Sequence, residues 1–172
     1  MAKVFDAIDS TLQHWIERQH MFFVATAPSG SEGHVNVSPK GPIGSLRILD
    51  PLTVEYEDYV GSGAETGAHL RENGRICLMF CAFDGPPRVV RLHGRGELIR
   101  HDATSEDGVR GVIRVAIDRV SDACGFGVPL MQVVGERPQG EAWLAHHTTD
   151  SLRTYVTRKN STSIDGLPAF SG

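Results

Sequence analysis

Lysine is scarce in this chain of 172 residues, where Lys3, Lys40 and Lys159 stand against fourteen arginines. The formal net charge of -4 leaves no excess of positive charge of the kind that holds nucleic acid or an anionic membrane surface. We therefore expect no nucleic acid and no membrane among its partners. Because the chain has so few lysines, Lys40 and Lys159 are each considered for a specific role in their local surroundings.

Long apolar runs and paired cysteines are also missing. No stretch approaches the roughly 20 apolar residues of a membrane span, and the first residues lack the apolar segment of a signal peptide, so we expect a cytoplasmic protein. Cys77 and Cys81 would lie about 13 Å apart on a strand, too far for a disulfide, so reduced thiols are expected. The eight histidines form neither His-x-x-x-His nor His-Glu-x-x-His, which predicts that no metal is bound.

The chain does contain many short segments with alternating or continuous apolar character, which is typical of an antiparallel β protein. An amphipathic helix precedes them at residues 6–20, and Asp6 or Ser10 is expected to cap it. Gly94 and Gly96 lie inside one long segment and predict a bend or bulge, which favours a barrel. The expected strands cover residues 21–27, 34–38, 46–49, 53–57, 75–83, 88–99 and 112–120.

Two further helical regions are expected. A short helix at residues 65–72 follows a glycine-rich turn and ends at Asn73-Gly74, a pair suited to a left-handed stop. Residues 135–160 have approximately helical spacing, with a break at 147–150 and a new start capped by Thr149 or Asp150. We expect this C-terminal segment to pack on the barrel, within a single domain that spans residues 1–172.

Two loops contain residue types suited to an anionic ligand. The turn Gly61-Ser62-Gly63 precedes a helix, whose first N–H groups and partial positive charge suit a phosphate, although it is not the dinucleotide-binding fingerprint. Ser38 and Lys40 end a strand and offer a hydroxyl and a cation. On these residues alone, an ordinary turn and a solvated lysine remain open alternatives.

Taken together, these segments resemble the pyridoxamine 5′-phosphate oxidase-like flavoproteins, the split-barrel group that binds flavin mononucleotide (FMN). The resemblance rests on residues 22–27, 34–41 and 61–80, and the tail at 159–168 is similar to a C-terminal signature of a bacterial branch. It implies an α+β, mainly β fold, an antiparallel split β-barrel with flanking helices. It also implies an FMN-binding oxidoreductase, with the flavin held between the two subunits of a homodimer.

The family's cofactor contacts carry over to matching positions of this chain. The strand before the first loop lies beside the flavin in such proteins, and the glycine-rich turn lies around the phosphate. The cofactor-binding residues that the resemblance implies are Asn36, Val37, Ser38, Lys40, Ser62, Glu65, Thr66 and, on a later strand, Arg88.

This chain departs from the vitamin B6 oxidases at the turn. Those enzymes have an Arg-Lys pair where Glu65-Thr66 stands here, and their substrate-binding arginine and histidine near the C-terminus have no clear match. We therefore expect flavin chemistry on an unknown small molecule, without oxidation of pyridoxamine phosphate and with unknown catalytic residues. The alternatives are a non-catalytic flavin-binding or redox-sensing module, or a barrel that binds deazaflavin or haem.

Overall fold

The computed structural model describes residues 3–100 and 107–170, and in these ranges it contains eight strands and four helices. In chain order they are β1 (Lys3–Phe5), α1 (Ser10–Glu17), β2 (Phe22–Thr26), β3 (Asn36–Lys40), β4 (Leu46–Asp50), β5 (Thr53–Tyr59), α2 (Glu65–Glu72), β6 (Arg75–Cys81), β7 (Val89–Arg100), β8 (Val109–Ala123), α3 (Gln139–Leu144) and α4 (Thr149–Lys159).

The strands form one antiparallel sheet that curls without closing. Their hydrogen-bonded order is β3-β2-β6-β7-β8-β5-β4, and β1 pairs with β8. The ring of Phe22 on β2 lies 5.4 Å from the ring of Tyr56 on β5, although three strands separate β2 from β5 along the sheet. Both rings therefore point into a shared interior. The predicted α+β, mainly β class and antiparallel split barrel are confirmed.

The barrel interior is filled by every second residue of the strands. Buried side chains alternate with half-buried ones along β2 from Phe22, and along β6 they run from Ile76 to Phe80. Helix α1 adds Leu12 and Ile16 to the same core. Because each fully buried side chain of this size contributes about 1.5–3 kcal/mol, these positions fix which face of each strand points inward.

Several predicted boundaries are confirmed, and others are wrong by a few residues. Helix α2 has the predicted limits, and Gly74 adopts φ +70° at its end, as the Asn-Gly pair indicates. Helix α1 is shorter than predicted, and its cap is neither Asp6 nor Ser10. It is Asp9, whose carboxylate accepts the N–H of Leu12 at 2.7 Å.

Strands β1 and β3 show two further differences from the sequence prediction. Strand β1 was not expected, because three residues beside β8 are too few to show alternation. Strand β3 begins at Asn36 rather than His34 and continues through Pro39 to Lys40. The proline is tolerated because β3 is an edge strand that pairs with β2 alone, so its missing N–H is not needed by a second neighbour.

The bulge expected near Gly94 lies in the pairing of β7 with β8. The register shifts between His93 and Gly94, and a Cβ atom at Gly94 would lie 2.1 Å from the backbone oxygen of Ala116. A glycine is required at this position because the two backbones approach too closely for a side chain.

The C-terminal region contains α3 and α4, as the helical spacing predicted. Helix α4 begins after Thr148, whose hydroxyl accepts the N–H of Ser151 at 3.2 Å, so the expected caps at Thr149 and Asp150 are wrong by one or two positions. Val156 packs against Ala64 and Phe170 in a second apolar cluster. Residues 160–170, here termed the strap, run beside α2.

No helix within residues 3–100 and 107–170 has the length and apolar character needed to cross a membrane.

Candidate functional site

The gap in the barrel lies where edge strand β3 faces the connection between β5 and α2. Asn36 donates to the hydroxyl of Thr66 at 3.1 Å, and the ammonium of Lys40 lies 3.5 Å from the carboxylate of Asp58. Because β3 and β5 are far apart in the strand order, these side-chain contacts span the gap without a backbone ladder. We call this region, from Asn36–Thr66 to Lys40–Asp58, the seam.

The middle of the seam contains a polar group without a partner. Ser38 lies between Asn36 and Lys40 on the same face of β3, since side chains alternate along a strand. Its hydroxyl is buried and meets no hydrogen-bond partner among residues 3–100 and 107–170. Val37 points to the opposite face and is 61% exposed. Four of the sequence-predicted residues, Asn36, Ser38, Lys40 and Thr66, therefore share the seam, and Val37 presents its side chain outside it.

A buried polar network closes one end of the seam. The ring of His69 hydrogen-bonds through Nδ1 with the Thr26 hydroxyl at 2.9 Å, and Asn36 donates to that hydroxyl at 3.2 Å. Burial lowers the pKa of His69, although the carboxylates of Asp165 and Glu65 act in the opposite direction. The network favours a neutral imidazole here.

A buried charge cluster lies at the other end of the seam. The carboxylate of Asp58 accepts from Arg110 Nε at 2.8 Å and lies between this guanidinium and Lys40. Arg110 is 7% exposed, and its Nη1 has no partner in the part of the chain that the structure describes. One carboxylate between two cations leaves a net positive charge facing the interior. Burial also raises the pKa of Tyr56 well above its ordinary value, with the charge of Asp58 as the second cause, so its phenol is neutral.

The glycine-rich turn is held from the inside by two side chains. Arg110 Nη2 donates to the carbonyl of Gly63 at 3.0 Å, and Asn160 of the strap donates to the carbonyl of Gly61 at 2.9 Å. The side chain of Ser62 is exposed to solvent. The carboxylate of Glu65 accepts the N–H of Ala64 at 3.1 Å, so one donor of the turn is already satisfied by the chain.

The strap fixes the turn and the start of β3 to each other. Asp165 accepts from the ring and the backbone N–H of His34, at 2.6 and 2.8 Å, and this hydrogen bond lowers the pKa of Asp165. The ring of Phe170 lies 4.2 Å below the Arg110 guanidinium. The strap therefore forms one wall of the candidate site.

Arg88 lies apart from the other predicted site residues. Its guanidinium donates twice to Asp122, at 3.0 and 3.2 Å, and stacks over the ring of Trp15 at 5.2 Å. None of these partners belongs to the seam. A role for Arg88 in cofactor binding stays a prediction.

Sequence reasoning missed three residues that support the seam from within, namely Asp58, Arg110 and Asn160, and it did not assign His69 to this supporting network. For Asp58 a signal existed, because it follows Val54 and Tyr56 at intervals of two on the inward face of β5, where a carboxylate needs a buried partner. No comparable pattern indicates Asn160, whose contact depends on a return of the chain across 99 residues. Such a contact is visible only in the fold.

Comparison with known proteins identifies the family. The sequence profile of the pyridoxamine 5′-phosphate oxidase family matches residues 8–124. A pyridoxamine 5′-phosphate oxidase family protein of Aspergillus flavus, ustO, is 38% identical, and the alignment covers 96% of this chain and 77% of the fungal protein.

Solved structures with similar folds are much more distant in sequence. A putative 5-nitroimidazole antibiotic resistance protein from Bacteroides thetaiotaomicron is 15% identical, with a TM-score of 0.48 over 71% of this chain and 87% of that one. An FAD-binding protein from Mesorhizobium loti is 13% identical, with a TM-score of 0.48 over 71% and 96% of the two chains. On the profile match and the fungal relative, this chain belongs to the pyridoxamine 5′-phosphate oxidase family.

Proposed function

We propose that this protein binds a flavin, FMN, along the seam between β3 and the β5–α2 connection and acts as an oxidoreductase on a small molecule. The observation that carries the proposal is the buried Ser38 hydroxyl, which has no partner among the described residues and is flanked by Asn36 and the Lys40 ammonium. A burial cost of this kind is offset when a ligand supplies the missing hydrogen bond. Family membership supports a flavin as that ligand.

The residues of the seam fit the polar edge of a flavin ring. Ser38 offers a hydroxyl that donates or accepts, and Lys40 offers a cation held in place by Asp58. The flavin would supply hydride or single-electron transfer, while the protein orients the ring and stabilises negative charge on it. Thr66, Ser62, Glu65 and the backbone of the turn would lie around the flavin's side chain.

We further propose that the protein forms a homodimer. The outward residues of β2 and β6, Phe23, Cys77 and Met79, are apolar and only half buried, and Val37 extends this surface at the edge. Strands that are apolar on both faces are usually covered on both. A second apolar surface lies after β8, where Phe126, Leu130, Met131 and Val134 are all exposed. A second copy of the chain would cover such surfaces and complete the flavin site.

The proposal is tested by the visible absorption spectrum of the purified protein and by titration with FMN. We expect a flavin spectrum, or saturable binding of added FMN. A protein that shows neither would contradict the proposal, and a Soret band would instead identify haem. Anaerobic addition of NADH or NADPH then separates an enzyme, which bleaches the flavin, from a passive flavin-binding module.

A further inference from the structure

The two carbonyls of the glycine-rich turn determine where its N–H groups point. Gly61 and Gly63 direct their carbonyl oxygens to Asn160 and Arg110, both of which are buried. A trans peptide is planar, with the N–H opposite to the C=O, so the N–H groups of Ser62 and Ala64 face away from these two donors. The N–H of Ala64 directly precedes α2, next to the positive end of that helix. An anion in this position would meet this N–H group and the partial charge of the helix.

The carboxylate of Glu65 already lies in this position. Its Oε2 accepts the N–H of Ala64 at 3.1 Å, and its Oε1 accepts the N–H of Ile164 in the strap at 3.3 Å. The same Oε2 would lie 2.6 Å from a Cβ atom on Gly63, so the carboxylate lies directly against the turn. The protein's own anion thus takes a donor that a ligand phosphate would need.

We infer that Glu65 is a specificity-determining residue that selects against a phosphate dianion at the turn, and this inference rests on the proposed flavin-binding function. A phosphate monoester carries about -1.5 to -2 charges at neutral pH, so it must displace a negative group and its hydrogen bonds before it reaches the N–H groups. Riboflavin, which has the same ring and no phosphate, avoids this repulsion. The seam therefore binds flavins through the ring, with little gain from the phosphate of FMN.

The test compares dissociation constants for FMN and riboflavin, measured by titration of flavin fluorescence. For the unmodified protein we expect the two values to agree within about threefold, whereas Glu65→Gln should tighten FMN binding about tenfold and leave riboflavin almost unchanged; a tenfold change corresponds to about 1.4 kcal/mol. The glutamine retains an oxygen acceptor for Ala64 and removes the charge. Glu141→Gln is the matched control, since Glu141 is an exposed acidic residue in the first turn of α3, and neither constant should change.

Two results would overturn the inference while leaving the proposed function in place. One is an unmodified protein that binds FMN about 100-fold more tightly than riboflavin, a result that needs no variant. The other is a folded Glu65→Gln protein whose preference between the two flavins equals that of the unmodified protein. If neither flavin binds the unmodified protein, the proposed function itself fails and the inference fails with it.

Discussion

At the scale of single residues, the seam places ionisable side chains where water is excluded. His69 is fully buried, and its Nε2 has no partner among residues 3–100 and 107–170. Burial lowers its pKa below the ordinary value of 6.5. Since protonation then favours the unfolded chain, His69 couples the stability of the barrel to pH.

Stability should therefore decline as the pH falls. Above pH 6.5 the His69 imidazole is neutral in both the folded and the unfolded chain and does not change the free energy of unfolding. Below pH 6.5 the unfolded chain takes up the proton first, so stability is lost as the pH falls towards the lower pKa of the folded protein. We expect His69→Gln, which retains a polar partner for Thr26, to flatten this decline in urea unfolding measured from about pH 8 to 5. His14→Gln, at an exposed position on α1, is the control. Equal slopes in the two variants would contradict the prediction.

Lys40 is the second residue whose role can be isolated. Its side chain is 22% exposed, and Asp58 keeps a second cation, Arg110, when Lys40 is removed. We expect Lys40→Ala to leave the fold intact and to weaken FMN binding by about tenfold, the magnitude of one charge-assisted hydrogen bond. Calorimetric titration measures the change, and Lys159→Ala, which removes an exposed lysine of α4, provides the comparison. Unchanged affinity would exclude Lys40 from the site.

At the scale of elements, the strap contacts both the glycine-rich turn and the residues that precede β3. Phe170 is 3% exposed, lies against α2 at Gly67 and lies under the Arg110 guanidinium. We expect Phe170→Ala to lower the free energy of unfolding by about 3 kcal/mol, because a buried aromatic residue is truncated. Ile164→Ala, at a strap position that is 71% exposed, should cost less than about 0.5 kcal/mol. Comparable losses in both variants would show that the strap does not pack as described.

The bulge between β7 and β8 leads to a prediction about backbone contact. A methyl group at Gly94 would meet the backbone of Ala116, which cannot move without breaking the bulge. We expect Gly94→Ala to destabilise the protein by about 1–3 kcal/mol, the usual cost of overpacking. Gly127→Ala is the matched control, since a Cβ atom there would contact nothing within 4 Å and its φ needs no glycine. Thermal unfolding of both variants is the measurement.

The elements also show what sequence alone predicts. Local signals were sufficient for α2, whose turn and Asn-Gly stop lie within ten residues of each other, and for the alternating strands. Local signals were insufficient to identify the N-cap residues of α1 and α4. Asp9 and Thr148 have polar neighbours that would cap equally well in an isolated chain. For the seam, the sequence predicts that Ser38 and Lys40 share one face of a strand. It does not predict which residues they contact, because those contacts depend on how far the sheet curls.

At the scale of the whole molecule, one face of the sheet covers the hydrophobic core and the other face lies outside it. The interior takes alternate residues of β2 and β6, and the outer face is apolar as well, with Met79 and Cys77 half buried and Val37 exposed at the edge. A single chain that leaves such a surface open also leaves the edge of β3 unpaired. Association of two copies through this face would cover the apolar surface, and we therefore propose it as the dimer interface.

A single added charge can test the proposed dimer without disturbing the fold of the chain. Val37→Glu places a carboxylate on the proposed interface without touching the barrel core, and we expect light scattering to show a dimer for the unmodified protein and a monomer for this variant. Val4→Glu, at an exposed position of β1 on the same face but separated from β3 by β2, β6, β7 and β8, should leave the association state of the protein unchanged.

The same pair of proteins tests whether the flavin site needs both subunits. If FMN contacts the two chains together, mass action requires FMN to stabilise the dimer and dilution to weaken FMN binding. We therefore expect FMN to lower the dimer dissociation constant of the unmodified protein, and the Val37→Glu monomer to bind FMN at least about tenfold more weakly. Analytical ultracentrifugation with and without FMN measures both effects. A monomeric Val37→Glu protein with full FMN affinity would place the whole flavin site within one seam, formed by Ser38, Lys40 and the turn of a single chain.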